Sequence, residues 1–197
     1  MDNVDNTQPP RILSLCSGML GIERGLTRSG FKHRIIAYVE REAFSAFNLV
    51  RQMEKGLVDK APIWTDIESF DGRPFRNRVH GIVGGYPCQG ESRSGRRGLE
   101  RDERFLWPHI REIVRAVNPL FCFFENVDDH LSGSFQIVLR DLHGMGFQVE
   151  AGIYSAIECG APHYRKRLFA LACSDIREMW ECLAYAYVNT ASYLSSH

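Results

Sequence analysis

Short apolar runs alternate with helical stretches along almost the whole chain, and that alternation sets the class of fold open to it. Arg11 to Cys16 (RILSLC) reads as a strand, Ser17 to Gly21 as a glycine-bearing turn, and Ile22 to Ser29 as a helix. Arg34 to Val39 is a second strand ending at Glu40, and Arg41 to Met53 carries helical periodicity. Pro62 to Ile67 holds a brief strand-like piece ending at Asp66, and Val79 to Gly84 is a further strand. Phe105 to Val117 reads as a helix, Leu120 to Phe124 as a buried strand ending at Glu125, and Ser134 to Met145 as a helix with Gly144 and Gly146 at its end. Phe147 to Ser155 and Leu168 to Cys173 are two more strands, joined by too few residues for a helical crossover, so they should pair antiparallel. Ile176 to Tyr187 has helical character. The expected fold is therefore α/β, a mostly parallel, doubly wound sheet with an antiparallel last strand.

Sheets of this kind take ligands beyond the carboxyl ends of their strands. Glu40, Asp66, Cys88 and Glu125 all fall at or just after such ends, which a random scatter of polar residues would not do four times. At 197 residues one domain is expected, with residues 1–10 a loose tail, 11–173 the folded unit and 174–197 a short helical tail. The balance of 24 basic against 24 acidic residues excludes a nonspecific polycation but leaves room for a locally basic groove. Only four of the basic residues are lysine (Lys32, Lys55, Lys60, Lys166); the rest are arginine, whose planar fork suits phosphate and base edges. The bland alternative is a GC-rich genome. No apolar run approaches the ~18 residues of a membrane span, and no leader is visible, which fits a cytoplasmic protein. Six cysteines without a CxxC pair fit reduced thiols rather than a zinc cluster.

Four segments and one strand-end acid carry chemistry. Ser14 to Gly21 (SLCSGMLG) links the first strand to a helix, and small residues there let backbone approach a ligand at a helix N-terminus. Glu40 stands where doubly wound folds place an acid on ribose hydroxyls. Gly84-Gly85-Tyr86-Pro87-Cys88-Gln89 pins a thiol in a tight loop after a strand. Structural cysteines sit inside apolar runs, as Cys122 and Cys173 do, whereas Cys88 lies among Gly, Pro, Gln and Glu. Phe123-Phe124-Glu125-Asn126-Val127 sets a carboxyl at the end of the most apolar strand, a setting that favours a proton-holding acid; the alternative is a carboxylate satisfied by Asn126 or a helix N-terminus. Arg165 and Arg167 alternate before the last strand and project the same way if extended; the alternative is an ordinary solvated turn.

In this order, SLCSGMLG, Glu40, Thr65-Asp66-Ile67, GGYPCQ, FENV and Ala161 to Arg167 (APHYRKR) resemble the DNA (cytosine-5) methyltransferases from Arg11 to Cys173. The resemblance implies a class I methyltransferase fold binding S-adenosylmethionine and acting on cytosine in double-stranded DNA. It implies that Leu15, Cys16, Ser17, Gly18 and Gly21 line the cofactor, that Glu40 holds its ribose and that Asp66, with Ile67 beside it, accepts from the adenine amine. Pro87 and Leu106 complete that pocket by the same likeness. Cys88 matches the nucleophile that adds to C6 of a flipped-out base, Glu125 the acid on N3, and Arg165 and Arg167 the paired arginines, the second reaching the base. Gln89, Ser92, Arg93, Arg96 and Arg97 match the loop that closes on DNA. No metal is implied.

The chain departs from the family pattern at Ser14, usually acidic, at Cys16, usually aromatic, at Leu20, usually glycine, and at His163, usually glutamine. Only 24 residues follow Cys173, and no target-recognition domain or last motif is evident in them. A split enzyme with a second chain, a compact enzyme of relaxed specificity and a truncated remnant all fit that reading. RNA cytosine-5 methylation and a non-catalytic, regulatory subunit stand as alternative functions.

Overall fold

The computed structural model describes residues 9–87, 105–132 and 134–175. Cys88, Gln89, Ser92, Arg93, Arg96 and Arg97, and the expected helix from Ile176 to Tyr187, lie outside the described residues.

Seven strands form one sheet: β1 (Arg11–Leu15), β2 (Arg34–Val39), β3 (Ile63–Trp64), β4 (Gly81–Gly84), β5 (Phe121–Val127), β6 (Gln148–Ser155) and β7 (Lys166–Cys173). Their order is β3-β2-β1-β4-β5-β7-β6. β1 to β5 run parallel, and β7 is inserted antiparallel between β5 and β6. Among the described residues four helices connect them, α1 (Gly21–Arg28), α2 (Ala43–Glu54), α3 (Trp107–Val117) and α4 (Phe135–Gly144). Chain order reverses between β1 and β4, so the turns after those two strands open at the switch point where doubly wound sheets bind ligands.

Local sequence explains the helix ends. Glu42 caps α2, its carboxylate accepting from Phe44 N at 3.1 Å and Ser45 N at 2.6 Å. Those backbone bonds hold its pKa below the usual carboxylate range, that to Ser45 foremost. α1 and α4 stop in the same way. Gly30 and Gly146 take left-handed backbone, φ 79° and 91°. The next residue, Phe31 or Phe147, bonds back to Leu26 O at 3.2 Å or Leu142 O at 3.0 Å. Each phenylalanine is buried and leads the chain into the following strand.

The sheet is buried on both faces. On one, Leu13, Leu15, Ile82, Cys122, Phe124 and Leu168 pack with α3 and α4 through Trp107, Ile110, Val114, Phe135, Val138 and Leu142. On the other, Ile12, Tyr38, Val83 and Phe121 pack with Leu20, Phe31, Leu49 and Met53. Near-continuous apolar runs in β1, β2, β4 and β5 follow from this double coverage.

Several boundaries shift by one or two residues from the sequence reading, and three differences bear on the site. β5 does not end at Phe124: its antiparallel ladder with β7 runs on to Val127↔Arg167, so Glu125 lies inside the strand. β7 correspondingly starts at Lys166, which takes Arg167 into the sheet and leaves Arg165 before it. β3 is only two residues long, because Asp66 turns the chain by accepting from Glu68 N at 3.0 Å.

Candidate functional site

Strand register lines up the site. Trp64 pairs Val39, Val39 pairs Leu15, Leu15 pairs Gly84 and Gly84 pairs Phe124. The residues one step further along, Thr65, Glu40, Cys16, Gly85 and Glu125, therefore form a row along the carboxyl edge. At about 4.8 Å per strand that row spans roughly 19 Å. Residues from five of the sequence motifs thus meet on one edge.

The first half of the edge surrounds the turn after β1. Cys16, Gly18 and Leu20 all adopt left-handed backbone, φ 51°, 51° and 63°. Such residues persist only where their surroundings hold them. Ser17 N donates to Val39 O at 3.2 Å and Gly18 N to Glu40 Oε2 at 2.6 Å, while the other oxygen of Glu40 accepts from Glu42 N at 2.7 Å. Leu15 is fully buried beneath the turn, and Gly21 opens α1. Burial pushes the Cys16 thiol up to about 12, with the charge of Glu40 adding to it, so this cysteine stays protonated and is no nucleophile at neutral pH. Asp66 lies at the far end, held below the usual carboxylate range by the Ser69 hydroxyl first and the Glu68 amide next. Ile67 beside it is buried. This half of the edge thus sets the start of α1 and the carboxylates of Glu40 and Asp66 along one line of strand ends.

The second half is the turn after β4. A Cβ at Gly84 would sit 2.8 Å from Leu15 O, and one at Gly85 would sit 3.0 Å from Glu125 Oε2. Glycine is what lets this loop pass against β1 and against the carboxyl. Tyr86 then turns inward, 3% exposed, with its hydroxyl 3.0 Å from His130 Nε2. His130 Nδ1 is 3.0 Å from Ser134 Oγ. Asn126 Nδ2 donates to Tyr86 O at 3.1 Å. The backbone leading through Pro87 towards residue 88 is therefore braced from β5 and from the turn Asp128–Ser132.

Arg167 Nε lies 2.7 Å from Glu125 Oε1, both side chains about one quarter exposed. The sequence reading placed Glu125 beside a dry wall; the structure gives it a guanidinium partner. Arg165 is exposed and precedes β7, its carbonyl accepting from Ala156 N at 2.9 Å, whereas Arg167 lies within the strand. Leu106 caps α3 and is partly buried beside Trp107. Sequence reasoning missed Glu23, buried in the first turn of α1, and the brace of Tyr86, Asn126 and His130. A carboxyl in a helix's first turn reads as an ordinary dipole partner, and nothing local signals that this one faces β1. Among the described residues no cluster could hold a metal ion, and no helix is long and apolar enough to cross a membrane.

The chain matches the family model described as C-5 cytosine-specific DNA methylase over residues 10–187. It is 28% identical over 166 residues to the type II methyltransferase M.NgoPII of Neisseria gonorrhoeae, covering 82% of this chain and 47% of that protein. Among solved structures, the S. pombe Dnmt2 methyltransferase superposes with a TM-score of 0.69 at 22% identity, over 83% of this chain and 50% of that one. The Entamoeba histolytica methyltransferase EhMeth gives 0.71 at 17% identity, over 85% and 54%. These two likenesses show the fold. The chain spans about half the length of the curated relatives it matches, or less.

Proposed function

The chain belongs to the C-5 cytosine-specific DNA methylases, and on that premise we propose that it transfers a methyl group from S-adenosylmethionine to C5 of a cytosine in DNA, with Cys88 as nucleophile. The observation that carries this reading is the approach of the Gly85 loop to Glu125, three residues before Cys88, with Arg167 on the same carboxylate. Side by side, a carboxyl and a guanidinium match the N3 and O2 edge of a pyrimidine ring.

Cytosine C5 is a poor nucleophile. The Cys88 thiolate adds to C6, forming a C–S bond, while Glu125 supplies a proton to N3, so that C5 becomes enamine-like. Arg167 faces O2 and offsets the charge that develops there. S-adenosylmethionine, when bound, would supply an electrophilic methyl on its sulfonium; transfer to C5 would form the C–C bond, break the S–CH3 bond and leave neutral S-adenosylhomocysteine. A base then removes the C5 proton, N3 returns its proton to Glu125, the C–S bond breaks, and Cys88 leaves as thiolate. The base must leave the helical stack to reach this edge, at a cost of a few kcal/mol. The arginines at 93, 96 and 97 are positioned in sequence to offset part of that cost by contacting phosphates.

The test is transfer of labelled methyl from S-adenosylmethionine to duplex DNA and, in parallel, to tRNA, with nucleosides identified by mass spectrometry. The reading expects 5-methylcytosine in DNA. Label confined to RNA reverses the substrate, and cofactor binding with no transfer to either supports a non-catalytic role.

A further inference from the structure

Glu23 is a carboxyl that the proposed chemistry does not use. It is 4% exposed, and Ser14 Oγ donates to its Oε1. Ser14 Oγ also lies 2.6 Å from Ser17 Oγ, and Ser17 Oγ reaches Ser14 O at 3.3 Å. Both serines are themselves buried. A continuous polar chain thus runs from α1 through the core-facing side of β1 into the turn that carries three left-handed residues. Glu40 grips that turn from β2 by its backbone at Gly18. The Glu23 chain holds it a second time, by the side chain of Ser17.

We propose that Glu23 is a positioning residue for the methyl donor: through Ser14 and Ser17 it fixes the Cys16–Leu20 turn in the shape that receives S-adenosylmethionine. This rests on the reading of the turn as the cofactor site. Two physical facts support it. Polar groups this deeply buried are tolerated when their hydrogen bonds are complete, and a satisfied buried network specifies one geometry. Left-handed backbone at Cys16 and Leu20 also needs an external constraint, since neither is glycine. Burial raises the pKa of Glu23 above its ordinary value, with Glu40 adding, in keeping with a carboxyl held for hydrogen bonding rather than for charge.

The experiment compares wild type with Glu23→Leu, Glu23→Gln and Ser17→Ala by two readouts. The first is amide hydrogen exchange of residues 16–21 in the ligand-free protein. The second is the Kd for S-adenosylhomocysteine by calorimetry, joined by KM for S-adenosylmethionine against kcat. Glu23→Leu is expected to speed exchange in the turn at least tenfold while β5 is unchanged, and to raise Kd and KM about tenfold with kcat held. Glu23→Gln, which keeps an acceptor for Ser14, should restore both. Ser17→Ala breaks the chain without touching α1 and should act like Glu23→Leu; it decides the matter if Glu23→Leu does not fold. Unchanged exchange in both Glu23→Leu and Ser17→Ala overturns the inference. So does failure of Glu23→Gln to restore it, or a fall in kcat with KM unmoved. Wild type that binds no S-adenosylhomocysteine, with the exchange pattern as expected, instead overturns the cofactor reading and leaves the bracing of the turn standing.

Discussion

Glu125 and Arg167 meet at 2.7 Å across two antiparallel strands. Glu125 pairs Phe169 in the ladder and Val127 pairs Arg167, so the two charged residues are diagonal neighbours, within reach of long side chains. At about one quarter exposure the pair adds little to the fold, roughly 1 kcal/mol or less after solvent screening. Arg167→Ala is therefore expected to leave the urea midpoint nearly unchanged and to lower kcat by about 10²–10³, the usual effect of losing one charge-stabilising donor. Steady-state kinetics beside urea unfolding check this. A large loss of stability with normal turnover in the surviving fold contradicts it.

The glycines after β4 separate packing from chemistry. A methyl at Gly84 would press on a strand carbonyl, which cannot give way, so Gly84→Ala should destabilise by about 1–3 kcal/mol. A methyl at Gly85 meets only the tip of Glu125, at 3.0 Å. Gly85→Ala should keep most stability and lose turnover by displacing that carboxyl. Thermal unfolding and kcat, measured on both variants, read the two effects apart.

Asn126 holds the Tyr86 carbonyl at 3.1 Å in a buried setting. Asn126→Ala leaves that carbonyl without its side-chain donor, at a cost of about 1–3 kcal/mol. It also frees the backbone leading to Pro87. Lower stability together with slower adduct formation at Cys88 is expected, whereas a stability loss alone would assign Asn126 to the core only.

Glu23 gives the pH dependence. Its folded pKa is raised above its ordinary value near 4.5, burial being the first cause. The neutral form is therefore the one the fold prefers. Its contribution to stability is complete below pH 4.5 and is lost as pH rises through the raised folded value. Glu23→Gln cannot ionise, so its stability relative to wild type should climb as pH rises from 4.5. Urea unfolding at a series of pH values tests the sign; a difference that shrinks as pH rises contradicts it.

Much of the fold was legible because it is written in local terms. Apolar runs gave β1, β2, β4 and β5 within two residues at each end, apart from the carboxyl end of β5, and Gly146 marked the end of α4. The short join between β6 and β7 implied their antiparallel pairing. The insertion of β7 beside β5 was not legible, because it is a choice of partner across the sheet rather than a property of either strand. That insertion is also what carried Glu125 inside a strand and split Arg167 from Arg165. Glu40 and the Ser14–Gly21 segment were placed together on the carboxyl edge from their positions at strand ends. Glu23, Asn126 and His130 were not, since a buried polar residue looks like a surface one until the element facing it is known.

The central claim is a covalent bond between Cys88 and C6 of cytosine. Duplex DNA with 5-fluorocytosine in place of cytosine blocks release, because no C5 proton can be removed. Intact-mass analysis after incubation with S-adenosylmethionine is predicted to show protein, DNA strand and one methyl in a single species, mapped by proteolysis to Cys88 and lost in Cys88→Ser. 5-Methylcytosine formed from ordinary DNA with no such species from the fluorinated duplex, or with Cys88→Ser still active, contradicts the account.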